Sequence, residues 1–523
     1  MKRYIIGLGL LLSTGALTAC EKFLDVNNNP NNPVVSTPNF LLPGIISNGI
    51  QTQMLTALRT PYITQYVVSR TDSSGGNDQY FFTNAQSTNT FNYSYFQSGG
   101  NIPTLQKAAE AEGSVYYVGA GKIMQAMILA HATDMLGDIP YSEAYQGGAN
   151  FTPRYDSQQQ IYATINQLCD EGVVEMSKPA SAQVRPFYST SPSESGDILY
   201  KGDAAKWVRL AYALKARQAQ HLTKKSSYDP NAVLALCDKA FLSTADDAQI
   251  QFQTAIAPLA NTTNIFGVTR GNFGTATFSS NIIKYLNGST YPGVIDPRFG
   301  VLTPTNSQGI DPGRGTSTTA NLTPGTTNVT DFYGGWYARD LGYYEAITYH
   351  ELKFIEAEAA FLAGNKLRAF NALRAGITAH MRKVGAGGTY SPPLVTFPVI
   401  LDGQITAYLA SAALPQNEGA LTLRHIMEQK YIAMFLNPDS WSDLRRYDFR
   451  NDLYVNFLYP VYSGNTTPPL TGGKFPRRLL PGATEVTVNP NAIAALYTEA
   501  GVAVGTTAGD QDYVTKPLWF DRP

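Results

Sequence analysis

One spacing pattern constrains this chain more than any other. Thr348, Leu352, Ile355, Ala359 and Leu362 recur at steps of four, three, four and three, which puts them on one stripe of an α-helix. The spacing predicts a helix from Tyr344 to Ala363. Gly364 and Asn365 supply its stop, and Lys366 to Val384 is the returning helix of a hairpin. An apolar stripe has to be covered by another element, so a chain made of such hairpins folds as a layered helical body.

Other stretches repeat the theme. Val115 to Leu136 is rich in Ala, Met and Ile, ends at Gly137 and cannot resume across Pro140. Phe40 to Val68, Ser157 to Met176, Asp203 to Leu222 and Pro230 to Leu242 also carry helical spacing, with Asp203 as an N-cap. Leu423, Met427, Tyr431 and Met434 form a further stripe closed by Asn437-Pro438, and Ser440 to Asp448 opens a short helix. Two regions break the pattern. Thr71 to Gly100 packs Tyr80, Phe81, Phe82, Phe91, Tyr93, Tyr95 and Phe96 behind a Gly75-Gly76-Asn77-Asp78 turn, and reads as a long loop with exposed or half-exposed rings. Asn261 to Ala338 is rich in Gly, Thr, Asn and Pro and leaves no room for a helix of useful length. After Arg450 the chain is again irregular and Pro-rich. The expected fold is mostly α, a tetratricopeptide-like helical hairpin scaffold with long irregular loop excursions. A length of 523 residues would accommodate about three domains. No clean linker separates independent cores, so a single body over 39–523 is expected, with insertions near 71–100 and 261–338.

The N-terminus reads as an address. Lys2 and Arg3 precede an apolar run from Ile5 to Leu12, followed by Leu17-Thr18-Ala19-Cys20. The run is too short for a permanent membrane span. Residues 1–19 are expected to be a lipoprotein signal peptide, and Cys20 after small residues resembles a bacterial lipobox whose thiol becomes the lipid anchor. Two or three acyl chains would hold the protein stably at a membrane. Residues 20–38, with an Asn27-Asn28-Asn29-Pro30-Asn31-Asn32-Pro33 run, read as a tether. Cys169 and Cys237 lie in helical apolar patterns and are read as buried free thiols.

Much chemistry is excluded. Lys and Arg number 39 against 40 Asp and Glu, so no excess positive charge favours nucleic acid. Only 15% of residues are charged, against a usual share of about 25%. Gly119-Ala120-Gly121-Lys122 fails as a phosphate loop, because Tyr116 stands where a Gly is needed and Ile123 where a hydroxyl is needed. His350-Glu351 fails as a zinc-protease motif, because the second His position is Phe354. No Gly-x-Ser-x-Gly elbow occurs, and His131, His221, His380 and His425 lack ligand spacing. The chain is not expected to be an enzyme. No cofactor or metal is called for; Asp- and Asn-rich loops could hold Ca²⁺, but EF-hand spacing is absent.

Five stretches together resemble the SusD/RagB family of outer-membrane nutrient-binding lipoproteins, in particular its SusD-like 2 subgroup. They are the lipobox with Phe23-Leu24-Asp25-Val26-Asn27; Gly137-Asp138-Ile139-Pro140-Tyr141-Ser142-Glu143-Ala144; Glu351 to Ala359; Glu428 to Phe435 continuing through Trp441-Ser442-Asp443-Leu444-Arg445-Arg446; and Pro476-Arg477-Arg478-Leu479-Leu480-Pro481 with Asn489-Pro490. The resemblance implies a surface lipoprotein that captures a glycan or oligopeptide and delivers it to a SusC-like TonB-dependent barrel, facing the cell exterior. A surface-anchored glycoside hydrolase and a non-binding structural lipoprotein are the alternatives. Arg445 and Arg446 with Asp443 suggest an ion-paired helix end, and Glu356 with Arg374 suggests packing between hairpins; an anionic-ligand clamp is the other reading.

A sugar site needs flat aromatic platforms and polar partners. Two regions offer both: Asn77, Asp78, Tyr80 and Tyr95 in one, and Phe332, Tyr333, Trp336 and Tyr337 in the other. The second lies in Asp331-Phe332-Tyr333-Gly334-Gly335-Trp336-Tyr337-Ala338-Arg339, where Gly334-Gly335 could turn the backbone and present Trp336 outward. Trp336 is the leading single candidate.

Overall fold

Local signals set most of the helices. In the computed structural model, which describes residues 36–70, 77–191, 194–254, 262–313, 332–391, 394–460 and 471–523, the first long helix is α1, Pro38–Thr56. It is followed by α2, Ile102–Glu112, and α3, Val115–Leu136, whose residues from Tyr116 to Leu136 are all buried except Lys122. Next is α4, Gln158–Met176, opened by a capping box between Ser157 and Gln160. Asp203 caps α5, Ala204–His221, by accepting from the Lys206 amide at 3.2 Å. Then come α6, Pro230–Cys237, and the predicted hairpin of α7, Tyr349–Leu362, and α8, Lys366–Val384. Asn365 caps α8 through the Arg368 amide at 3.1 Å. The series closes with α9, Leu423–Ala433, and α10, Asp439–Arg446.

Each helix packs on the next in chain order from α2 to α8, and α9 packs against α7. The result is a succession of helical hairpins, as expected. α3 and α4 approach closely through Gly119 and Gly172; a Cβ on Gly172 would lie 2.6 Å from an Ile123 methylene carbon. The buried apolar side chains form one main cluster that runs from Leu42 to Val514. Cys169 and Cys237 are free and buried within it.

Three two-stranded antiparallel sheets lie on this body: β1, Val67–Ser69, with β3, Ala276–Phe278; β2, Ala248–Gln251, with β4, Tyr343–Ile347; and β5, Ala386–Tyr390, with β6, Val395–Val399. β4 corrects one expectation. Residues 343–347 pair with β2 instead of starting α7, and Thr348 caps α7 by accepting from the Glu351 amide at 3.3 Å. Thr348 therefore marks the end of the stripe and not its first turn.

Two loop readings are also corrected. The segment from 77 to 101 is largely helical, with Ala85–Asn92 as α-helix and Tyr93–Ser98 as a π-helical turn. Beyond Arg450, short helices span Ala483–Val488, Pro490–Glu499 and Thr507–Tyr513. Within the second insertion a short helix spans Ser280–Leu286. Cys20 and its neighbours lie outside the described residues.

The charged motif residues hold the helices together. Arg446 on α10 is fully buried and pairs with Glu358 on α7 and with Asp443, which also accepts from Lys430 on α9 at 2.8 Å. Arg217 on α5 pairs with Glu351 on α7 at 2.5 Å. Arg445 donates to the Asp134 and Arg477 carbonyls at 2.6 and 2.8 Å. Both arginines of α10 are thus committed to the protein itself: Arg446 is ion-paired as expected, whereas Arg445 binds backbone carbonyls and makes no ion pair among the described residues. Glu356 pairs with Arg368 at 2.8 Å and Lys353 at 2.7 Å, and Arg374 instead donates to the Leu409 carbonyl.

Candidate functional site

A pocket of about 310 Å³ opens where β4, β5 and the end of α8 meet the Trp336 turn. Alternation along β4 builds one wall: Tyr344 and Ala346 turn into the core, while Tyr343 and Glu345 face the pocket. Gln249 sits across from Glu345 in the β2–β4 register. Tyr390 comes from β5 and Lys383 from the last turn of α8. Thr244 and Asp247 lie just before β2.

Lys383 organises the polar floor. Its ammonium donates to Asp247 at 2.6 Å, Gln249 at 2.8 Å and Glu345 at 2.8 Å. Burial opposes the Lys383 charge, but Glu345 and Asp247 outweigh it and raise its pKa. Burial also works against the Glu345 carboxylate, and Lys383 with other cations nevertheless holds it below its usual range. For Asp247 burial wins over Lys383, and its pKa is pushed up to about 6. The second Asp247 oxygen accepts from the Tyr349 amide at 2.6 Å. The Tyr337 hydroxyl sits between Glu345, at 3.5 Å, and His380 Nε2, at 3.3 Å. His380 and its neighbour His350 are kept neutral by burial.

The apolar part of the pocket is layered. The Arg339 guanidinium lies 3.1 Å from the centre of the Trp336 ring and 4.5 Å from that of Tyr390. Tyr390 and Phe397 meet the Trp336 ring edge-on at 5.7 and 5.4 Å. Trp336 is only 6% exposed. Tyr343, at 39%, is the ring that faces solvent.

The sequence-picked residues divide accordingly. Trp336 and Tyr337 line the pocket, but Trp336 is a buried bed for Arg339 and not an outward platform. Gly335 explains why: a Cβ there would meet the Leu302 carbonyl at 2.5 Å, so the glycine lets the turn lie against the body. Phe332 packs on Phe273 at 4.6 Å, and Tyr333 is buried beside it. The other region does not join the pocket. Asp78 is buried and accepts from the Gly313 amide at 2.9 Å; Asn77 accepts from Arg59 at 3.0 Å. Tyr80 is fully buried against Tyr459. Tyr95 stacks on Phe91 at 4.4 Å and donates to the Pro140 carbonyl at 2.7 Å. These rings pin their segments to the body, as large apolar surfaces tend to do.

Sequence reasoning passed over Tyr343, Arg339, Glu345, Lys383, Asp247, Gln249 and Tyr390. They come from three separate stretches of chain, and only the β2–β4 and β5–β6 pairings bring them together. Arg339 was within the quoted Gly-rich motif, so its closeness to Trp336 was the one available signal.

Among the described residues, one trio offers metal-ligand geometry: Asp134, His221 and Asp439, with ligand atoms within 4.8 Å of one another. The trio is spent on itself. His221 reaches Asp134 at 3.3 Å and Asp439 at 3.1 Å. Burial opposes its charge, but Asp439 and Asp134 outweigh burial and raise its pKa to about 9. With that proton the imidazole serves as the ion-pair partner of both carboxylates.

A family model described as starch-binding and associating with the outer membrane, SusD-like 2, matches residues 30–457. No curated protein matches the chain in sequence. Solved structures resemble it in fold. A SusD/RagB family protein from Bacteroides thetaiotaomicron is 22% identical with a TM-score of 0.68, over 93% of this chain and 99% of that one. A chitin-binding SusD homologue from Flavobacterium johnsoniae is 20% identical with a TM-score of 0.69, over 92% and 98%. A SusD homologue from Bacteroides fragilis is 20% identical with a TM-score of 0.68, over 93% and 100%. The family description is one of binding and not of catalysis, in keeping with the non-enzymatic expectation. No described helix is long and apolar enough to cross a membrane.

Proposed function

This chain belongs to the SusD-like 2 family of starch-binding proteins that associate with the outer membrane, and from that premise we propose that it is a cell-surface lipoprotein that captures a glycan in the pocket between Tyr343, Tyr390 and Arg339. The captured ligand then passes to a SusC-like TonB-dependent barrel, and acylated Cys20 holds the protein to the outer-membrane lipid on the exterior face. An oligopeptide is the second ligand class the reading accommodates.

The observation that carries the reading is the combination in one opening. A solvent-facing Tyr343 ring offers a flat apolar surface, and fixed hydrogen-bonding groups surround it. Apolar C–H faces of a sugar leave water on the ring, and its hydroxyls are oriented by the polar partners. Kinship with a chitin-binding homologue of the same fold supports a glycan.

The test is calorimetry on the full-length protein with maltotetraose, chitotetraose and a panel of other oligosaccharides and oligopeptides, each mixture also assayed for cleavage. Binding without turnover, weakened about three- to tenfold in Tyr343→Ala with an unchanged melting temperature, is expected. Turnover would favour a surface hydrolase. Normal assembly with a barrel but silence across the panel would favour a bracing role. Loss of ligand uptake by cells carrying Cys20→Ala would support the anchored delivery step.

A further inference from the structure

The pocket's groups are not evenly spent. Both acids are engaged: Asp247 accepts from Lys383 and the Tyr349 amide, and Glu345 from Lys383 and the Tyr337 hydroxyl. Lys383 is in turn saturated by three acceptors. Arg339 is different. Its Nε donates to the Trp336 carbonyl at 2.8 Å, which fixes the plane of the guanidinium against the indole. Its two terminal nitrogens reach no carboxylate or carbonyl among the described residues, and they make no ion pair. Of the other buried arginines, Arg217, Arg298 and Arg446 each hold a carboxylate, and Arg445 spends its terminal nitrogens on the Asp134 and Arg477 carbonyls and the Ser442 hydroxyl. Arg339 is 8% exposed, and the exposure it has is into the pocket.

A guanidinium largely withdrawn from water with no carboxylate in direct contact has its charge only partly compensated, here by Glu345 across the pocket. Its planar fork matches a carboxylate through two parallel hydrogen bonds, and stacking on Trp336 has already removed the side chain's freedom to turn away. The remaining open groups reinforce this. Gln249 uses its oxygen on Lys383, leaving its amide N–H₂ for a ligand, and Tyr343 and Thr244 present hydroxyls on the rim. The pocket's open groups thus include the Gln249 amide and the Arg339 fork as donors, while each of its two carboxylates already accepts from Lys383.

We propose that the captured glycan is acidic, and that the outer edge of Arg339 binds the carboxylate of a uronic-acid residue while Tyr343 takes the face of a neighbouring sugar. The inference rests on the pocket being the capture site. Burial lowers the Arg339 pKa, a cost that a bound carboxylate offsets.

The test compares ligands that differ in charge alone. Full-length protein in detergent is titrated with tetragalacturonic acid, with its fully methyl-esterified form and with neutral chitotetraose. The acid should bind at least about tenfold more tightly than its ester. Arg339→Gln should remove that difference, and Arg339→Lys, which keeps the charge without the fork, should restore part of it. Equal binding of acid and ester by the unaltered protein, a comparison that needs no variant to fold, overturns the acidic-ligand assignment. Binding of chitotetraose but not of the acid overturns it too, and leaves glycan capture standing. Silence from all three probes counts against both.

Discussion

The Arg339 guanidinium rests 3.1 Å from the centre of the Trp336 ring, with Tyr390 closing over it at 4.5 Å. The contact makes Trp336 part of the body. Its ring is boxed by Tyr390 and Phe397, and its amide donates to the Val301 carbonyl at 2.9 Å. Trp336→Ala should therefore cost about 3–5 kcal/mol in urea unfolding, as for a buried aromatic. An exposed platform would lose no more than about 0.5 kcal/mol. Trp336→Phe should keep more of the stability, because it preserves a ring beneath Arg339.

Glu358 is the second buried anchor. It pairs with Arg446 and accepts from the Tyr447 hydroxyl at 2.5 Å, while Asp443 links Arg446 to Lys430. Removing Glu358 leaves two buried cations, Arg446 and Lys430, sharing the single carboxylate of Asp443. Glu358→Ala should destabilise by about 3–5 kcal/mol, and combining Glu358→Leu with Arg446→Met should lose less than either charge removal alone. Equilibrium unfolding of the single and double variants decides the matter; additive losses would contradict the network.

His221 gives the stability a pH dependence. Its folded pKa, raised to about 9 by Asp439 and Asp134 against burial, exceeds the unfolded value near 6.5. The ion pair therefore contributes fully below pH 6.5 and fades as pH rises through 9, by roughly 3 kcal/mol. Urea midpoints of the unaltered protein should fall between pH 6 and pH 9.5. His221→Gln should lose stability at pH 6 and show a smaller fall across that range.

Asp247 should tune ligand affinity near pH 6. Burial pushes its pKa up to about 6 against the pull of Lys383. The groups around it are Lys383 from α8, Gln249 from β2, Glu345 from β4 and the Tyr349 amide of α7. As pH falls from 7.5 to 5.5, Asp247 gains a proton and the pocket gains one positive charge. A uronate, ionised down to about pH 3.5, should then bind about threefold or more tightly. Asp247→Asn should flatten the profile. An affinity that falls on acidification would contradict this balance of charges.

The helices were legible because their signals are local. Asp203 caps where expected, Ser157 opens its helix at the expected place, and Val115–Leu136 runs between its predicted ends; Asn365, read as a stop, is the cap of the returning helix. Thr348 misled because a capping residue and a stripe residue can share one spacing; pairing of β4 with β2, almost 100 residues earlier, ended the helix there. The ring-rich segment from Tyr80 to Phe96 misled for a related reason. Ring density reports apolar surface but not what covers it, and Tyr80 and Tyr95 are covered by Tyr459 and Tyr145 from distant chain. At the site, Trp336 and Tyr337 were picked on composition. Lys383 and Tyr390 carry no local mark, since their role exists only once α8 and β5 meet β4.

The central claim is that ligand is captured between Tyr343 and Arg339. A crystal structure of the full protein with its tightest-binding oligosaccharide tests it most directly. Sugar density lying on the Tyr343 ring, with an oxygen within hydrogen-bond distance of the Arg339 terminal nitrogens, is the predicted result. Density elsewhere, such as in the open groove of about 490 Å³ beside Lys353 and Arg368, with an empty Tyr343 pocket, would contradict it.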